Sequence, residues 1–228
     1  MTSRDKRNVR LRWFNSKEGR KLQEMLKMFV LLDADAELSY SEAKRRDGHS
    51  AHRQYVRSVF AMIEGTIFGM KQLARNPMRK QLTAAVLALL DEEGYDLNDR
   101  GEPIICPHYL RLEKNIKFAF AIYAESASVM YRLPTQEAGW KSLMRAIRLR
   151  NGLMHPKRLR DLSLSAEEIK NVVTAHHWFK SKYREVQGLM LRQQLQARGL
   201  ADKEIAELDS WMSQKTADLF TPWRDGQQ

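Results

Sequence analysis

Three observations predict an all-α protein: a four-helix bundle with an extra N-terminal helix and a C-terminal helical extension. Apolar residues recur at spacings of three and four along most of the chain, as on amphipathic helices rather than strands. Good helix formers dominate, and only 11 of 228 residues are glycine and 6 proline. Capping residues precede the apolar runs, and Pro or Gly follows them. Apolar types make up 43% of the chain, enough to bury one core.

Residues 1–12 form a basic arm in which Arg4, Lys6, Arg7, Arg10 and Arg12 precede Trp13 and Phe14. It reads either as a strap along a phosphate backbone or as a frayed terminus. Ser16 suits the N-cap of a first helix whose apolar face is Leu22, Met25, Leu26, Phe29, Val30 and Leu32. A polar stretch over 39–50 is expected to separate it from a long helix starting near Ser50. There Val56, Phe60, Ile63 and Ile67 form a stripe that Val59, Met62, Met70 and Leu73 widen. Asn76-Pro77 ends or bends that helix, and a further one is expected over 78–91.

Residues 94–107 are the least helical part, holding either a short hairpin around 98–101 or a surface loop. Residues 109–131 read as the central, most buried helix, because apolar side chains wrap much of its circumference. After Leu133-Pro134, Thr135 suits the N-cap of a helix carrying Trp140, Leu143, Met144, Ile147 and Leu149. That helix delivers Arg150. A polar turn over 156–164 leads to Ser165-Ala166-Glu167-Glu168, which has the form of a capping box. The helix behind it holds Ile169, Val172, Val173, Phe179 and Val186 and continues toward Gln196. Gly199 breaks it, and residues 201–219 read as a last amphipathic helix. The chain thus divides into a basic arm and N-terminal helix (1–49), a bundle (50–188) and a C-terminal helical extension (189–228).

A single cysteine, Cys106, leaves no internal disulfide and fits a reducing compartment. The basic N-terminus lacks the apolar core of a secretory signal, and the longest apolar segments, such as 82–90, are too short for a bilayer. A cytoplasmic protein without a membrane partner is expected. The formal charge of +11 points either to nucleic acid or another polyphosphate, or to solubility charge spread over the surface.

The densest chemistry lies in Arg148-Leu149-Arg150-Asn151-Gly152-Leu153-Met154-His155-Pro156. Arginine forks onto phosphate oxygens, and histidine gives and takes protons near neutral pH. The pair suffices in principle to cleave a phosphodiester without a metal. The alternative is an ordinary helix end, where Arg150 favours the dipole, Asn151 suits a left-handed turn and His155 is a loop residue.

The motif Arg150-Asn151-x-x-x-His155, set between bundle helices, resembles the signature of the HEPN superfamily. The likeness extends to residues 52–74, which carry Glu64 and are similar to the first HEPN helix, and covers about residues 50–187. It implies a metal-independent endoribonuclease acting as a homodimer, in prokaryotic defence, stress response or a toxin system. His155 would be the general base or acid for attack by the ribose 2′-hydroxyl, and Arg150 would stabilise charge on the phosphorane. Asn151 would hold substrate or orient His155. Glu64 would orient Arg150 or His155; alternatively it is a plain exposed residue or a partner for Arg57. Arg148 and Arg145, with Lys157 and Arg57, are the candidate RNA contacts.

Some HEPN toxins carry a tyrosine two residues after the histidine, a target for a partner nucleotidyltransferase. Here that position is Lys157, which sets this mode of regulation in doubt, although an antitoxin or other regulatory partner still fits. The same fold also serves as a non-catalytic RNA- or nucleotide-binding module or a scaffold. No cofactor or metal is expected. His176 and His177 are adjacent and so point about 100° apart on a helix, Cys106-Pro107-His108 is an isolated pair, and no Gly-rich phosphate loop is present.

Overall fold

The computed structural model describes residues 16–46, 48–78, 81–197, 199 and 203. Its elements are α1 (Lys17–Arg46), α2 (His49–Met78), α3 (Ala84–Asp91), β1 (Glu93–Leu97), β2 (Pro103–Pro107), α4 (Leu112–Glu125), α5 (Ala138–Met154), a 3-10 turn (Leu159–Leu162) and α6 (Ala166–Gln196). The all-α class therefore holds. One antiparallel hairpin, in which Tyr95 faces Ile105, is the whole of the sheet among the described residues. It resolves the hairpin-or-loop alternative for residues 94–107. The basic arm and, but for Lys203, the helix expected over 201–219 lie outside the described residues.

Several boundaries differ from the sequence reading, each for a physical reason. The stretch over 39–46 is not a linker but the last part of α1. Its polar look hides a buried side: Ala43 is in the core, Tyr40 packs on Tyr55 with ring centroids 4.9 Å apart, and the Ser39 and Ser58 hydroxyls share a 2.9 Å hydrogen bond. Helix α3 is shorter than expected. It starts only after Thr83, whose side chain accepts from the Val86 amide. Helix α4 stops at Glu125, and Ser128 turns the backbone to φ 56°. Val129 and Tyr131 still pack on the core, but from an irregular segment.

The N-cap of α5 is Glu137, not Thr135. The Glu137 carboxylate instead accepts from Trp178 Nε1 at 2.5 Å and Lys182 Nζ at 3.2 Å, which ties the start of α5 to α6. The Ser165 capping box is as expected: its hydroxyl accepts from the Glu168 amide, and the Glu168 carboxylate accepts from the Ser165 amide at 2.8 Å.

The central helix is α2 rather than α4. It packs against α1, α3, α4, α5 and α6, and Tyr55, Val56, Val59, Met62, Ile63 and Met70 are fully buried along it. Helix α4 buries only one side and exposes Lys114, Lys117 and Ala121. Met25, Phe29, Ala36 and Ala43 place α1 in the same core. Among the described residues, no helix is long and apolar enough to cross a membrane.

Candidate functional site

Helix α5 runs through the motif and ends where Pro156 forbids it to continue. A residue before proline is driven out of the α region, and His155 adopts φ −131°, ψ 63°. Its amide still closes the last turn onto the Asn151 carbonyl at 3.2 Å. Leu143, Ala146 and Leu153 are buried on one side of α5. Arg150 lies four residues after Ala146 and three before Leu153, on that same side.

This placement carries the Arg150 guanidinium to α2, where Nη2 donates to Glu64 Oε1 at 2.6 Å. Its Nη1 also donates to Asn151 Oδ1 at 3.3 Å. Burial pushes the Glu64 carboxyl above its ordinary value, Arg150 pulls it back, and the charge of Glu92 adds to the rise. The two side chains are 27% and 42% exposed. A pair this wet contributes about 1 kcal/mol or less to stability, so it aims the guanidinium more than it holds the fold.

His155 is exposed, and no described residue hydrogen-bonds its ring. Five residues on a helix amount to about 140° of net rotation, and no hydrogen bond joins Arg150 to His155. The fold thus gathers Glu64, Arg150 and Asn151 and leaves the histidine at the helix tip, facing solvent. No family model matches this chain, nor does any curated protein or solved structure.

The expected RNA contacts fall in different places. Arg145 and Arg148 line a cleft of about 850 Å³ between α5, the 3-10 turn and the start of α6. Arg145 Nη1 donates to Asn171 Oδ1 at 3.3 Å. Lys157 has an exposed side chain, while its amide donates to Asp161 Oδ2 at 3.0 Å. Arg57 is exposed two turns before Glu64 and makes no ion pair among the described residues, so the partner of Glu64 is Arg150.

Two polar clusters went unseen in the sequence. In the first, His176 Nε2 lies 3.0 Å from Asp33 Oδ1, and His176 Nδ1 lies 3.3 Å from the Tyr55 hydroxyl. Lys180 Nζ sits 2.8 Å from both Asp33 Oδ1 and Glu37 Oε1. Burial would raise the Asp33 carboxyl, but hydrogen bonds from His176 and Lys180 hold it below the ordinary value. His176 is therefore not an isolated member of an adjacent pair. With Asp33 and Glu37 it forms the one group of donors near enough to share a metal among the described residues. The Lys180 ammonium bridges the two carboxylates and supplies the cation itself.

In the second cluster Lys71, 1% exposed, pairs with Glu92, which also accepts from Asn115 Nδ2 at 3.1 Å. No lysine 21 residues from its partner, nor a glutamate at φ 54°, leaves a trace in helical periodicity.

Proposed function

We propose that this chain is a HEPN-type, metal-independent endoribonuclease. One observation carries the reading: an arginine held by Glu64 and Asn151 lies five residues before an exposed histidine, free of side-chain hydrogen bonds among the described residues, that caps the same helix. The all-α frame and the charge of +11 agree with it.

The proposed chemistry needs a base, an acid and a cation. His155 takes the proton of a ribose 2′-hydroxyl, the 2′-oxygen attacks the neighbouring phosphorus, and the 5′-oxygen leaves with a proton returned by an imidazolium. The products are a 2′,3′-cyclic phosphate and a 5′-hydroxyl. Arg150 stabilises the charge that grows on the phosphorane oxygens. Glu64 and Asn151 position Arg150. His155 faces outward, so a second copy completes the site, and the working unit is a homodimer. A role in prokaryotic defence, stress response or a toxin system, held by an antitoxin or regulator, belongs to the same reading.

The second reading is a non-catalytic RNA- or nucleotide-binding module or scaffold of this fold. It draws on the fact that Arg150 is already paired with Glu64 and shares no hydrogen bond with His155. Incubation with RNA in EDTA separates the two. Cleavage to cyclic phosphate ends, lost in His155→Ala with the helical circular dichroism intact, supports the enzyme. Binding without turnover supports the module, and cutting by His155→Ala at the wild-type rate refutes the mechanism.

A further inference from the structure

The cleft between α5, the 3-10 turn and the start of α6 adjoins the motif through Arg148, Leu149 and Gly152, but neither Arg150 nor His155 lines it. Its lining includes three arginines, Arg145, Arg148 and Arg160, with His49, against two acidic residues, Asp161 and Glu168. Both carboxylates are engaged in caps. Asp161 accepts from the amides of Lys157 and Arg158, each at 3.0 Å, and Glu168 accepts from the Ser165 amide and hydroxyl, both at 2.8 Å.

The cations are not equally engaged. Arg145 donates to a neutral partner, Asn171. The nearest carboxylate oxygen to Arg160 is 4.0 Å away on Asp161, and Arg148 has no ion pair or hydrogen bond among the described residues. Arg148, unpaired among these residues, and Arg160, with only a 4.0 Å contact to Asp161, therefore line the cleft as the cations most available to a ligand, and a guanidinium fork can take two oxygens of one phosphate. The floor is apolar where Ala146, Leu149 and Leu164 meet.

Gly152 also lines the cleft, and its surroundings are open. It lies inside α5, where glycine costs about 1 kcal/mol relative to alanine. No close packing explains it, because a Cβ there would meet nothing within 4 Å. A larger side chain would occupy the cleft instead. The cleft is open to solvent on one side, and its volume is about 850 Å³.

We infer that this cleft is a phosphate-ester site, with Arg148 and Arg160 on the phosphate and the organic part of the ester on the Ala146–Leu149–Leu164 floor. The phosphate belongs either to a free nucleotide or to an RNA strand. The inference does not depend on cleavage, since it concerns binding at residues other than Arg150 and His155.

The test is titration calorimetry on the full chain with adenosine 5′-monophosphate, inorganic phosphate and a short single-stranded RNA carrying 2′-O-methyl groups, which has no 2′-hydroxyl to attack. The panel is wild type, His155→Ala, Arg148→Ala/Arg160→Ala and Gly152→Trp, with thermal unfolding as the check on folding. Wild type and His155→Ala should bind the mononucleotide alike, since His155 does not line the cleft. The double variant should bind roughly tenfold or more weakly, as loss of charge-assisted hydrogen bonds implies. Gly152→Trp should block binding, and added salt should weaken it. Binding of the mononucleotide identifies the free source; binding of the RNA alone identifies the strand. Binding of none of the three probes by wild type, binding of inorganic phosphate alone, or equal binding by wild type and the folded double variant overturns the proposal. Should Gly152→Trp fail to fold, the double variant decides alone. Loss of cleavage in His155→Ala without loss of binding keeps this outcome distinct from that of the nuclease test.

Discussion

Replacing Lys180 with alanine removes the cation on which two carboxylates converge. Asp33, with a side chain 7% exposed, then keeps His176 as its one close donor, and Glu37 loses a 2.8 Å contact. Removing one partner of a fully buried pair costs about 3–5 kcal/mol. Here Lys180 is 12% exposed and Glu37 is 44% exposed, so water relieves part of the loss. The expected cost is about 2–3 kcal/mol. For a protein of this size that corresponds to a fall in Tm of roughly 4–12 °C.

The cost should also depend on pH in a fixed direction. The Asp33 carboxyl is held below its ordinary value by its partners. Its contribution is therefore fully present above its unfolded pKa, about 3.9, and is lost as pH falls through the lower folded value. The Lys180→Ala penalty should accordingly be largest near pH 7 and smaller at about pH 3.5. Urea unfolding of wild type and variant at both pH values measures this, with the slope in denaturant unchanged and the midpoint shifted. A penalty below about 1 kcal/mol at pH 7, or one that does not shrink in acid, refutes the account of this cluster.

Two further predictions rest on other contacts. On the proposed reading, Glu64→Gln should keep stability within about 1 kcal/mol of wild type and lower kcat for RNA cleavage with little change in KM, because a neutral amide holds the Arg150 guanidinium less firmly; unchanged turnover, measured on the same protein, excludes the positioning role. Gly139→Ala should destabilise by about 1–3 kcal/mol or more, since the new Cβ would fall 2.1 Å from Trp178 ring atoms that a 2.5 Å bond to Glu137 holds in place; a midpoint equal to wild type in chemical denaturation contradicts the close α5–α6 contact.

Local rules reached far into this fold, and their failures share a cause. Ser16 and Ser165 cap helices as their chemistry dictates. The stripe at Val56, Phe60, Ile63 and Ile67 is buried as its spacing requires. Periodicity misjudged residues 39–46, because a helix clad in Ser, Glu, Lys and Arg can still bury Ala43 and stack Tyr40. It also overran α4, because Val129 and Tyr131 pack on the core without being helical. At the candidate site, the spacing from Arg150 to His155 was legible, but the pairing of Arg150 with Glu64 joins residues 86 apart. The bond from His176 to Asp33 spans 143 residues. Neither distance carries any local signal, and the first was suggested only through a family likeness.

Exposure separates the charged groups available for chemistry from those that serve the fold. Lys71 and His176, each 1% exposed, meet partners in surroundings where exchange for a ligand would leave a bare charge behind. Arg150 is different. Its bond to Glu64 is worth about 1 kcal/mol or less in so wet a setting, and a phosphate that offers the guanidinium fork two oxygens can replace it. Burial has already raised the Glu64 carboxyl, so giving up its charge as an anion approaches costs less than it would for an ordinary glutamate. On the proposed reading, then, Glu64 holds the guanidinium fork in place while the site is empty and yields it when a phosphate arrives. Exposed at the helix tip, His155 meets the same test, and the buried His176 does not.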